Sequence, residues 1–120
     1  MSQNAWCRGS SSQSCMYVPV NKTASVIDML RGIIIQSGND ASKAMAEHIA
    51  GSKASFAILM NEQAQKLGME NSHFVNSTGM PAEGHEASAL DLAKLARAIV
   101  KNSGAPHLCH HGHQEPAGSC

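Results

Sequence analysis

Aromatic residues are scarce in this 120-residue chain, which has one Trp, one Tyr and two Phe, 3% of the total. A core built from large rings is excluded, and Trp6 alone cannot form an aromatic binding box. Net charge is missing too. Nine Lys and Arg offset nine Asp and Glu, and charged residues make up only 15%. The chain therefore carries no electrostatic footprint for nucleic acid or an anionic membrane surface. No apolar run approaches the roughly 18 residues that a membrane helix needs. The opening, Met1-Ser2-Gln3-Asn4-Ala5-Trp6-Cys7-Arg8, has neither a basic stretch leading into an apolar core nor a small-residue cleavage site, so no export signal is read there. Large aliphatic side chains are thin as well: Leu, Ile, Val and Phe together number 21, against 17 Ala and 7 Met. Alanine buries little area. At about 25 cal/mol per Å², burial barely offsets an ordering cost of roughly 1.5 kcal/mol per residue. Zero net charge argues against disorder. A helical piece of something larger is the expectation.

Cysteine is absent from the middle of the chain. Cys7, Cys15, Cys109 and Cys120 sit only towards the ends. An even count admits a disulfide framework, but without Cys-x-x-Cys spacing or an export signal unpaired thiols are expected. Residues 103–120 change character and hold four of the seven His: His107, His110, His111 and His113. Imidazoles beside the Cys109 thiol form a set that suits Zn²⁺ or Cu²⁺, yet no second ligand pair stands elsewhere on the chain. No metal site is expected, and 103–120 reads as a non-folding tail, the break expected of a chain that has left its original reading frame.

Between the ends the spacing is helical. The first helix opens at Ser25, with Asp28 three residues on as a capping-box partner, and closes near Ser37-Gly38, where Gly38 suits a left-handed cap. Gly32 inside it costs about 1 kcal/mol against Ala, which implies close packing at that point. A second helix runs from Asn39 or Asp40 to Ala50, with Ala41, Ala44, Met45, His48 and Ile49 on one face and Lys43 paired with Glu47. A third spans Ser52 to Leu67 and is expected to bury Phe56, Leu59, Met60, Gln63 or Ala64, and Leu67 before Gly68 ends it. Residues 69 to 87 form an irregular connection. The fourth opens at Ser88 with Asp91 as its capping partner and sets Leu92, Leu95, Ala96, Ile99 and Val100 on one face. Only Met16-Tyr17-Val18-Pro19-Val20 has extended character, and Pro19 would place it at an edge. Met29, Met45, Met60 and Met69 read as fillers of irregular core gaps.

The chemistry concentrates in the turn between the first two helices, Gln36-Ser37-Gly38-Asn39-Asp40-Ala41. A hydroxyl at Ser37 can pass a proton, and the Asn39 amide can both donate to and accept from a peptide backbone. Alone, Ser-Gly-Asn is also ordinary turn chemistry. The wider context is more specific. Asn4-Ala5-Trp6, the 9–12 Gly-Ser-Ser-Ser run, Met16 to Val20 and above all Leu30-Arg31-Gly32-Ile33-Ile34-Ile35-Gln36-Ser37-Gly38-Asn39-Asp40-Ala41 closely resemble the D-alanyl-D-alanine carboxypeptidases, the low-molecular-weight penicillin-binding proteins. The likeness continues through Ala46 to Ser52, Leu59-Met60-Asn61, Lys66 to Met69, Asn71 to Phe74, Ser77 to Pro81 and Ser88 to Ala93, in order over about residues 4–102.

That resemblance implies a helical subdomain, mainly α, of the α/β fold shared by β-lactamases and DD-peptidases, with the catalytic sheet largely missing. Residues 1–102 would be a partial catalytic domain. Members of the family are serine acyl-transfer hydrolases with three motifs, Ser-x-x-Lys, Ser-x-Asn and Lys-Thr-Gly. Only the second is present. By motif position Ser37 is implied as a proton relay and Asn39 as a substrate-binding residue. No Ser lies three residues before any Lys, and Lys22-Thr23-Ala24 lacks the glycine and precedes Ser-x-Asn. No nucleophile is present, so the chain is expected to be inactive alone. For the complete family, the resemblance implies peptidoglycan stem peptides and β-lactams as partners, no cofactor, and a place in the cell envelope or periplasm. His48 is expected to be an interfacial helix residue and His73 a loop residue of the family, neither one a ligand. The alternative is non-enzymatic: a helical remnant whose exposed apolar face self-associates or binds another chain.

Overall fold

The computed structural model describes residues 1–7 and 13–102. The run at 9–12 and the tail at 103–120, with its histidines and Cys109 and Cys120, lie outside the described residues. Four helices follow in order: α1 (Val26–Gln36), α2 (Asn39–Ala50), α3 (Lys53–Lys66) and α4 (Ala89–Asn102). Among the described residues there is no strand, only an isolated antiparallel bridge between His73 and Glu86. The chain is mainly α, as expected.

Local chemistry accounts for the helix limits. Ser25 Oγ accepts the Asp28 N–H at 3.1 Å and donates to the Asp28 carboxylate at 2.6 Å, which satisfies a backbone donor that the first turn leaves open. Ser52 caps α3 in the same way through the Ser55 N–H. Gly51 closes α2 with φ +77°. At the end of α3, Gly68 takes φ +70° and lets the Met69 N–H return to the Ala64 carbonyl at 2.9 Å, a glycine-dependent cap that buries Met69.

α2 packs against both α1 and α3. The buried apolar residues are Ala5, Cys7, Cys15, Met29, Ala41, Ala46, Ala57, Ala64 and Met69, so the light core anticipated from composition is what forms. The expected apolar faces are less covered than their spacing implied. On α3, Ala57 and Ala64 are buried while Leu59 is exposed. On α4, Leu92, Ile99 and Val100 stay exposed, and only Asp91 is buried. Periodicity places residues on a face but does not supply the surface that covers it. Glu47 is engaged by the Ser2 hydroxyl at 2.6 Å, where an ion pair with Lys43 was expected.

Polar clamps hold the irregular connection. The Asn61 amide donates to the Phe74 carbonyl at 2.7 Å and accepts the Phe74 N–H at 2.8 Å. His85 Nδ1 accepts the Val75 N–H at 3.0 Å, with its ring edge-on to Phe74. Asp91 departs from the expected capping box. Its N–H does bond Ser88 Oγ, but its carboxylate turns away to accept the Asn71 N–H, the Ser72 hydroxyl and Lys94 Nζ. Chiefly through the Lys94 hydrogen bond, and against the effect of burial, its pKa is lowered from 3.8 to about 2. Lys94 also donates to the Gly68 carbonyl, so the start of α4 is tied to the end of α3.

Two expectations near the N-terminus are corrected. Cys7 and Cys15 form a disulfide with Cα atoms 6.3 Å apart, so these two are not free thiols. Both are buried, and the chain brings them within bridging distance, which spacing alone does not reveal. Met16 to Val20 is not a strand. The Met16 and Tyr17 N–H groups both donate to the carboxylate of Asp40, at 2.8 and 2.9 Å, and Tyr17 takes φ +57°. Successive amides of a strand point to opposite sides, so the backbone must curl to present both to one side chain.

Candidate functional site

Ser37, Gly38 and Asn39 form the corner where α1 meets α2. Ser37 takes φ +54° and ψ +40°, a left-handed conformation unusual for a residue with a side chain. The expected assignment is reversed here, because Gly38 itself has φ −64° and ψ 103°. Space rather than backbone freedom explains the glycine. A Cβ at Gly38 would sit 3.1 Å from Met16 Cγ and 3.2 Å from the Gly32 carbonyl oxygen. Gly32 is constrained in the same way, since a Cβ there would overlap the Met16 thioether, the close packing that its place in a helix implied. The N–H groups of Ser37 and Gly38 both return to the Gly32 carbonyl. One glycine thus admits the Met16 side chain and anchors the corner.

The two motif side chains differ in their commitments. Ser37 is exposed, and its hydroxyl makes no hydrogen bond among the described residues. Asn39 is buried, 8% exposed, and gives its backbone N–H and its Nδ2 to the Ser14 carbonyl at 2.9 and 3.1 Å. With Nδ2 so oriented, Oδ1 keeps its acceptor capacity. Asp40 is wholly buried and bonds three backbone amides, those of Met16, Tyr17 and Ala41. Gln36 closes the arrangement by donating from Nε2 to the Cys15 carbonyl at 3.2 Å, while its own carbonyl accepts the Ser14 hydroxyl.

Four consecutive residues, 14 to 17, therefore form a strap across the back of the corner. Sequence reasoning found Ser37 and Asn39 but not Ser14, Gln36 or Asp40, which hold them. An acidic residue in the first turn of a helix was a visible signal, though it reads first as a favourable dipole contact. The strap itself had no local signal.

At this corner Ser37 is exposed, while Gly38 and Asn39 are buried. A pocket of about 230 Å³ lies elsewhere, among Val18, Val26, Met29, Met45 and His48, and Ser37 and Asn39 do not line it. No group of three or more His, Cys, Asp or Glu residues suited to holding a metal occurs among the described residues. His48 is exposed near the C-terminal end of α2, and His73 lies in the bridge to Glu86. No helix there is long and apolar enough to cross a membrane.

Comparison with known proteins places these features in context. A sequence model described as D-alanyl-D-alanine carboxypeptidase matches residues 1–115. The D-alanyl-D-alanine carboxypeptidase DacF of Bacillus subtilis is 46% identical over 88 residues, 73% of this chain and 23% of that protein. DacD of Escherichia coli is 39% identical over 111 residues, covering 90% of this chain and 28% of the relative. Penicillin-binding protein 6B from Escherichia coli superimposes with a TM-score of 0.83 at 37% identity, over 89% of this chain and 35% of that one. The DacD structure from Francisella tularensis gives 0.78 at 40% identity, over 84% and 24%. The chain thus spans about a quarter of the length of the curated relatives it matches.

Proposed function

Since the chain belongs to the D-alanyl-D-alanine carboxypeptidase family, we propose that its Ser37-Gly38-Asn39 corner is the Ser-x-Asn element of an acyl-transfer site that trims peptidoglycan stem peptides in the bacterial cell envelope. The observation that carries this is the contrast within the corner: an uncommitted, exposed Ser37 hydroxyl beside an Asn39 amide whose orientation is fixed by the Ser14 carbonyl. A free hydroxyl can take a proton on one lone pair while releasing another, as a relay towards the leaving amine requires. An amide oriented through Nδ2 can present Oδ1 to a substrate N–H.

These residues position and relay; they do not attack. Acylation needs a hydroxyl activated by a base and an oxyanion stabilised by nearby donors. The 120 residues contain neither Ser-x-x-Lys nor Lys-Thr-Gly. By themselves they carry no acyl-enzyme chemistry, and β-lactams, which acylate the same nucleophile, find none to modify.

A fluorescent penicillin tests both halves. The 120-residue chain gives no covalently labelled band, and a labelled band would overturn the assignment of a missing nucleophile. The second half uses a chimera in which residues 1–102 replace the matching segment of a complete relative. There Ser37→Ala lowers the acylation rate by about 100-fold, the usual scale for a lost proton relay. Unchanged acylation in a folded chimera would remove Ser37 from the reaction.

A further inference from the structure

We propose that the Cys7–Cys15 disulfide is a positioning element for Ser37 and Asn39, so that the geometry of the corner depends on the thiol state of these two cysteines. Cys15 is the second residue of the four-residue strap. Its neighbour Ser14 holds both donors of Asn39, its own carbonyl holds Gln36, and Met16 and Tyr17 hold Asp40. The strap therefore grips the chain on each side of Ser37-Gly38. Cys7 belongs to a separate anchored unit. There the Ala5 N–H bonds Ser2 Oγ, the Trp6 N–H bonds the Ser2 carbonyl, and the Ser2 hydroxyl bonds Glu47 in the last turn of α2. The disulfide closes a band from the C-terminal end of α2, through the N-terminal turn and the strap, back to the first residues of the same helix. Without the covalent link the strap keeps the packing of Met16 on Gly32 and Gly38 and hydrogen bonds that water can replace.

Opening the band is a two-electron step. A dithiol reductant attacks one sulfur as its thiolate, the S–S bond breaks through a mixed disulfide, and the second thiol closes the reductant's own disulfide. Cys7 and Cys15 each gain one electron and one proton. The regulatory meaning of this step rests on the proposed roles of Ser37 and Asn39. The coupling between the disulfide and the corner does not, and it is read without activity.

The test uses the full chain carrying Cys109→Ser and Cys120→Ser, so that a single pair can form. Alkylation with N-ethylmaleimide and peptide mapping establishes the link, and amide hydrogen exchange by NMR reads the corner. Reduction, or Cys7→Ser, speeds exchange at Asn39, Met16 and Tyr17 about tenfold or more, within what closure of a short loop supports. The Phe74 N–H, held by Asn61, keeps its rate. Equal rates in both states overturn the proposal. So does an equal acceleration at Phe74, which would make the disulfide a general staple, and so does finding Cys7 and Cys15 free after air oxidation. If the coupling holds while Ser37→Ala leaves chimera acylation intact, the positioning stands and the functional reading falls. The opposite pair of results separates them the other way.

Discussion

Ser37 shows what a left-handed conformation costs at the scale of one side chain. A left-handed, non-glycine residue is typically strained by about 1–2 kcal/mol, and the strain persists only where the surroundings impose it. Here the imposing groups are the Gly32 carbonyl, which takes the N–H groups of both Ser37 and Gly38, and the Asp40 and Ser14 contacts beyond. Ser37→Gly relieves the strain at some cost in unfolded-chain entropy, so it is expected to stabilise the chain by roughly 0.5–1 kcal/mol. Urea unfolding at unchanged slope measures this. A lower midpoint would mean that the hydroxyl makes a stabilising contact in solution. The identities of Ser37 and Asn39 were legible in the sequence because a tripeptide motif is local. The conformations were not. A glycine between two polar residues invites assignment as the left-handed cap, whereas the close approach of Met16 to Gly38 decides otherwise.

At the scale of elements, hydroxyl caps and glycine stops marked the helices well. Ser25 and Ser52 cap as their positions imply, and Gly51 and Gly68 close α2 and α3. The failures are those of long range. The Asp91 carboxylate was read as a local cap partner, but residues 71 and 72 compete for it and win, because it is buried with three donors converging. This has a consequence in acid. The folded pKa of Asp91 lies at about 2, below its ordinary 3.8. The folded chain therefore holds the proton more weakly than the unfolded one, and the stability contributed is fully present above about pH 4. It is lost as pH falls through about 2. Asp91→Asn lacks this contribution. Between pH 4 and pH 2 the stability advantage of the wild-type chain over the variant should shrink, as read from urea midpoints at each pH. A constant difference across that window would show that Asp91 titrates normally.

For the whole molecule, composition gave the right outline and spacing gave too generous a core. The residues with least exposure include Asp40, Asp91 and Cys15, while Ile34, Ile35, Leu90, Leu92, Ile99 and Val100 remain at the surface. The helical patterns of α1 and α4 were legible. What covers them was not, because a single sequence does not state which surfaces meet across the chain. Exposed apolar area of this extent is expected to bind an environment-sensitive dye such as anilinonaphthalene sulfonate in the native state. Ile35→Glu with Leu92→Glu should lower that fluorescence at least about twofold while changing stability by no more than about 0.5 kcal/mol each, as surface substitutions do. Strong destabilisation would place these residues in the core. Between the helices, cohesion comes largely from side chains that grasp backbone, and Asn61 shows the form most plainly. By meeting both the N–H and the carbonyl of Phe74, its amide does for one residue what a neighbouring strand does for many. A helix can in this way offer one rung of a β-ladder to an extended segment. Asn39, buried and with Nδ2 committed to the Ser14 carbonyl, keeps its Oδ1 as the start of another such rung.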